Sequence, residues 1–175
     1  MRSRIVLCFA GLMAASPAAA HIGLAEPQAP AGAYHVARFR VGHGCDGAAT
    51  TEVQIYIPDS VSGARPMPKP GWTLKIDTVK LDKPQAGEGG RPVTERVSVI
   101  TWAGGSLPND QFDEFPVLMR LPAKPATLMF PVMQSCGAAM VHWMDAPDGK
   151  SRFPAPVLKV GNASAAPMAG AHHEH

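Results

Sequence analysis

A chain of 175 residues is long enough for one domain with a sizeable core. Only 17% of its residues are charged and the formal net charge is +2, which excludes the strongly basic face of a nucleic-acid binder. Glycine (17) and proline (18) cut the apolar runs into short pieces, the punctuation of an all-β domain rather than of long helices.

Residues 1–20 read as a removable export signal. Arg2 and Arg4 precede the apolar run "IVLCFAGLMAA", which is too short to span a bilayer. "SPAAA" then sets Ala18 and Ala20 at the −3 and −1 positions of a cut expected after Ala20. Cys8 lies inside the apolar run, away from the cut, which argues against a lipid-modified anchor. No later stretch is apolar enough to span, so a diffusible periplasmic product without a membrane span is expected. Cleavage removes Arg2 and Arg4, taking 16 basic residues to 14, equal to the 14 acidic ones.

Cleavage also removes Cys8 and leaves Cys45 and Cys136, for which a disulfide is the expectation in an oxidising compartment. It would close a loop of about 90 residues, for which the chain-entropy argument gives on the order of 4 kcal/mol. The alternative, a thiolate pair for a soft metal, requires both cysteines to stay reduced.

Strand-like alternation recurs in chain order. "HVARFRV" sets Ala37, Phe39 and Val41 opposite Val36, Arg38 and Arg40. "EVQIYIPD" sets Val53, Ile55 and Ile57 opposite Glu52, Gln54 and Tyr56. "SGARPMPKPG" (62–71) is a Pro-rich, extended loop, and "WTLKID" sets Trp72, Leu74 and Ile76 on one face. "DKPQAGEGGRP" (82–92) reads as a long hairpin-like excursion. "RVSVITW" is apolar on both faces near its end, as a central strand would be. In "DEFPVLMRL", Phe115, Val117 and Met119 oppose Glu114, Leu118 and Arg120. "ATLMFPVM", "AMVHWMD" and "APVLKV" complete the set, with Pro116 and Pro131 predicting edges or bulges. The pattern predicts an immunoglobulin-like, Greek-key β-sandwich of about seven to nine short strands over residues 21–160. Residues 161–175 lack core-forming side chains and are expected to be a disordered, His-rich tail.

A cut after Ala20 makes His21 the first residue. Its α-amine and ring Nδ1 would then chelate one ion, and two nitrogen donors of this kind suit Cu(II). A carboxylate must come from elsewhere: "NDQFDEF" offers Asp110, Asp113 and Glu114, and Glu26 competes locally. Trp72 and Trp102 read as core. Trp143, in "MVHWMD", could pack over a metal and exclude water. Met119, Met129, Met133 and Met140 fall in strand patterns and read as core filler, and with no M-x-x-M cluster no methionine site is assigned. The tail residues His172, His173 and His175 offer weak capture of divalent metal. No nucleophile elbow, phosphate loop or H-E-x-x-H motif occurs.

These features form an ordered set: a cut that leaves His21 first, "APAGAYHVARFRVGHGCDGAATTEVQIYIPDSV", "PMPKPGWTLKI", "VITWAGGSLPNDQFDEF" and "FPVMQSCGAAMVHWMD". Together they resemble the YcnI-like copper-binding domain family over residues 21–160. The resemblance implies an exported β-sandwich that binds Cu(II) through a single-histidine brace, with carboxylate help and a nearby tryptophan. Carried over, His21 matches the brace, Glu114 the carboxylate and Trp143 the tryptophan. Some members carry a carboxyl-terminal membrane anchor, which is not expected here because no stretch after residue 20 is apolar enough to span.

The expected function is therefore a copper carrier or buffer rather than an enzyme, exchanging its ion with other copper-trafficking proteins. The rival is a copper monooxygenase, which needs a second histidine from His35, His43 or His142. Of these, His43 precedes Cys45 and is expected far from the site, and His142 faces away from Trp143. A third reading is a metal-free interaction sandwich.

Overall fold

The computed structural model describes residues 21–87, 90–147 and 149–161. Residues 1–20, read as an export signal, and residues 162–175 of the expected tail, with His172, His173 and His175, lie outside the described residues, whereas Gly161 closes β12. Among the described residues twelve strands and no α-helix are formed. They are β1 (Gly23–Leu24), β2 (Gln28–Pro30), β3 (Tyr34–Val41), β4 (Thr50–Tyr56), β5 (Ser62–Pro66), β6 (Thr73–Ala86), β7 (Pro92–Leu107), β8 (Asp113–Arg120), β9 (Ala126–Met129), β10 (Val132–Cys136), β11 (Ala139–Trp143) and β12 (Val157–Gly161). The count exceeds the predicted seven to nine because short edge pieces such as β1 and β2 carry no alternation of their own.

The strands make three sheets, in the orders β1-β3-β8-β5, β11-β10-β4-β7-β6 and β2-β12-β9. Pairing is antiparallel except between β12 and β2. The period-two patterns decide which faces close on one another. Ala37, Phe39 and Val41 of β3 and Phe115, Val117 and Met119 of β8 are fully buried. They share one core with Val53 and Ile55 of β4, Ile100 and Trp102 of β7 and Val132 of β10. Trp102 meets Phe115 edge-on at 5.4 Å and its indole N–H donates to the Met67 carbonyl at 3.0 Å. Full burial of each large apolar side chain contributes about 1.5–3 kcal/mol.

Several local expectations change. Pro116 lies in β8, an interior strand, rather than at an edge or bulge. Its carbonyl accepts from the Met67 N–H, and a strand residue points both its polar backbone groups to the same side. The missing N–H of Pro116 therefore falls where pairing with β5 ends, since that pairing begins at Pro66 and Val117, and costs nothing toward β3. "ATLMFPVM" is two strands: at Phe130 and Pro131 the chain leaves β9 and enters β10 in another sheet. Residues 62–66 of the Pro-rich loop form edge strand β5. The Gly-rich excursion is the tip of the long β6–β7 hairpin, paired as far as Ala86 and Pro92. Ile76 is 46% exposed, because β6 is the outer strand of its sheet. Trp72 is half-buried, its ring 5.2 Å from Phe115. Gly105 makes room for it: a Cβ there would lie 2.0 Å from Trp72 Cε2. Met119 is core, but Met129 (37% exposed), Met140 (52%) and the half-buried Met133 are not.

Candidate metal centre

Ile22 is buried and anchors the start of the described chain, while His21 beside it is exposed. β1 follows, held to β3 with Gly23 opposite Arg40. The His21 ring meets the Trp143 ring edge-on, with centroids 5.9 Å apart. Trp143 closes β11 with its side chain turned inward and 4% exposed.

The position of that indole is set by hydrogen bonds. Trp143 Nε1 donates to Gln134 Oε1 at 3.0 Å. Gln134, on β10, is 1% exposed. Its amide nitrogen donates to Thr50 Oγ1 at 2.7 Å and to the His43 carbonyl at 2.8 Å. Both amide hydrogens and the amide oxygen are thus engaged, which is what a buried amide requires. Thr50 Oγ1 in turn lies 3.8 Å from Cys136 Sγ.

Cys45 and Cys136 form the expected disulfide, with Cα atoms 5.7 Å apart. Cys45 also opens a tight turn, since its N–H and carbonyl both bond to Ala48. Asp46 (φ 48°) and Gly47 (φ 87°) are left-handed there, the conformation that Asp-Gly supports in a two-residue hairpin turn. The disulfide therefore lays residues 43–45 along residues 134–136. That brings the His43 ring to 6.5 Å from Trp143, correcting the expectation that His43 is far away. His43 Nδ1 meets the Gly44 carbonyl, a contact that favours a proton on Nδ1. Phe153 packs on Trp143 from another side at 5.5 Å.

The carboxylates lie elsewhere. Glu114 faces Arg40 across β8 and β3. Its Oε1 accepts from Arg40 Nη2 at 2.8 Å and Nε at 3.2 Å, and its Oε2 lies 3.6 Å from Arg38 Nε. No hydrogen bond or ion pair joins it to His21 among the described residues. Asp113 pairs with Lys69, whose ammonium also donates to the Glu114 carbonyl. Glu26 pairs with Arg38, and that hydrogen bond holds its carboxyl below the usual range. Asp110 is exposed. Among the described residues no three His, Cys, Asp or Glu side chains gather to hold a metal. The other histidines lie apart. His142 is exposed on the side of β11 away from Trp143. His35 has a buried Nε2 with no partner, and burial pushes its pKa down.

The structure thus joins His21 to Trp143, adds His43, Gln134 and Phe153, and leaves Glu114 among arginines. The signal for His43 and Gln134 was the disulfide itself, because each stands two residues before one of its cysteines. Chemically the arrangement is an exposed imidazole against a fixed aromatic wall, with a second imidazole on the same wall.

No curated protein matches the chain. A solved structure from Nocardia farcinica, an uncharacterized protein with an immunoglobulin-like fold, is similar at TM-score 0.62 and 29% identity, covering 81% of this chain and 99% of that one. A putative membrane anchored protein from Corynebacterium diphtheriae is similar at TM-score 0.43 and 11% identity, covering 80% of this chain and 33% of that one. No helix among the described residues is long and apolar enough to cross a membrane. Residues 21–160 match a domain of unknown function, DUF1775, and the chain belongs to that family of immunoglobulin-like β-sandwiches.

Proposed function

We propose that the processed protein is a periplasmic Cu(II) carrier or buffer of the YcnI-like kind, with His21 as its first residue and copper as its cargo. The observation that supports this reading is the exposed His21 ring set against Trp143, itself held by Gln134. Imidazole and amine nitrogens suit Cu(II), and an aromatic wall limits water on one side. Exposure of His21 leaves the ion open to a partner, so release by ligand exchange needs no turnover. Glu114 enters as a ligand only by leaving Arg40 and Arg38, so its loss is expected to weaken binding less than loss of His21. Should the His-rich tail also bind metal, it does so as a weaker, separate site.

A second reading, an oxidative copper enzyme, draws on His43, whose ring shares the Trp143 wall and could complete a two-histidine set. His43→Ala separates the two. The carrier reading expects tight Cu(II) binding to persist, whereas the enzyme reading expects it to fall sharply.

The test of the main reading is a Cu(II) titration of protein beginning at His21, followed by absorbance and electron paramagnetic resonance. One tight, nitrogen-ligated equivalent is expected. Adding a single residue before His21 removes the chelating amine and should weaken binding at least about tenfold, a loss of about 1.4 kcal/mol or more. Equal affinity of the two forms, or tight binding abolished by tail deletion alone, overturns the reading. No Cu(II) binding at all supports the metal-free interaction sandwich instead.

A further inference from the structure

The side of the β10–β11 hairpin turned away from Trp143 carries a different set of donor atoms. Side chains alternate along a strand, and directly opposed residues share a face. With Trp143 and Val141 inward, Met140 and His142 point outward from β11. Met133 stands directly opposite His142 on β10 and shares that outward face. Directly opposed residues have Cβ atoms about 4.5–5.5 Å apart and diagonal ones about 7–8 Å, so Met140, diagonal to Met133, is within reach of the same ion.

Three further facts mark the set as open to a ligand. Met140 is 52% exposed, so its thioether is open to solvent. The His142 ring is exposed and makes no hydrogen bond, ion pair or ring contact among the described residues. Among the described residues β11 is the edge strand of its sheet, so no further strand flanks these side chains on that side. On the far side Met133 is flanked by Gln54, whose amide is occupied by Thr101 and Tyr56 and does not compete.

We propose that Met133, Met140 and His142 form a second metal site, for a soft monovalent ion: Cu(I), with Ag(I) as its redox-inert counterpart. Two thioethers and one imidazole are an uncharged, soft donor set. Such donors favour Cu(I) and offer little to Ca²⁺, Mg²⁺ or Mn²⁺, which seek carboxylate and carbonyl oxygen. The unbranched methionine side chains let both sulfurs swing onto an ion without moving the backbone. The site shares no side chain with the His21 reading and stands or falls apart from it.

The test is titration of the full processed protein with Ag(I), and with Cu(I) under anaerobic competition with a chromophoric chelator, observed through the methionine ε-methyl resonances. The Met133 and Met140 methyl groups and the His142 ring should shift together and saturate at one equivalent, while Met67, Met119 and Met129 stay in place. Met140→Leu combined with His142→Ala should weaken the ion at least tenfold, and Met133→Leu should act in the same direction. Near-ultraviolet circular dichroism and the Cu(II) titration should be unchanged in these variants, which separates lost ligands from lost structure. Shifts confined to His21, to the tail histidines or to Met67 and Met129 overturn the proposal. So does a double variant that binds Ag(I) as tightly as the parent.

Discussion

The two faces of the β10–β11 hairpin are made from alternating residues of the same short stretch, yet they differ in nearly every physical respect. Inward, Val132, Gln134, Cys136 and Trp143 are buried. The polar atoms of Gln134 are fully used, tying β10 to Trp143, to Thr50 and to the backbone at His43. Outward, Met133, Met140 and His142 lie at or near solvent. The difference teaches that donors held in place and donors left to move can occupy one structural element. The inner face can specify geometry because it cannot adjust. The outer face can capture a ligand because nothing else claims its atoms.

The comparison breaks first at the disulfide. Removing it by reduction, or by the double substitution Cys45→Ala and Cys136→Ala, should lower unfolding free energy by about 2–5 kcal/mol, as for native disulfides in small exported domains. Urea unfolding with and without reductant measures this. A loss below about 1 kcal/mol would mean the inner face is not clamped at its turn end.

Gln134→Leu should cost about 2–4 kcal/mol, because the Trp143 N–H, the Thr50 hydroxyl and the His43 carbonyl lose their partner together. Its outward neighbour provides the contrast: Met133→Leu should cost less than about 1.5 kcal/mol. Equal losses in thermal or urea unfolding would erase the distinction between the faces. His142→Ala should fall within about 0.5 kcal/mol of the parent, as exposed unpaired side chains do.

The smallest effect concerns acid. The folded pKa of His35 lies below its ordinary value, chiefly through burial, with Glu26 opposing. The unfolded chain therefore takes up its proton first as pH falls below about 6.5. The contribution of His35 is fully present above that pH and is lost as pH falls through the lower folded value. The Glu26 carboxyl, also depressed, adds its loss only further down, below the ordinary carboxylate range. His35→Gln should flatten the upper part of a plot of Tm against pH between neutrality and mild acid. An unchanged slope would place that proton uptake elsewhere.

Much of this was legible where a period of two was clean. "HVARFRV" and "DEFPVLMRL" separate core from solvent residue by residue, because a half-buried strand can satisfy only one alternation. Legibility failed where the chain changed sheets. "ATLMFPVM" has no internal sign of its break beyond Pro131, and the partner of β2 is a parallel strand about 130 residues away, a pairing no local pattern reports. At the site, His21, Trp143 and the cysteine pair could be picked out one at a time. What joins them could not, because the reach of Gln134 depends on cross-strand register. Glu114 stood on the outward alternation as read, but the arginines that claim it come from β3, 74 residues away for Arg40. Met140 reads as core by residue type but is exposed. Its alternation with the inward Val141 and Trp143 already placed it outside.

The chain of contacts from Cys136 through Thr50 and Gln134 to Trp143 has a consequence for when the molecule becomes itself. The covalent tie at the end of that chain forms only after two thiols have surrendered two electrons. A copy whose thiols stay reduced lacks the clamp that ties the His43 segment to β10. Assembly of this end of the sandwich is in this sense borrowed: it takes an oxidant that the polypeptide does not carry.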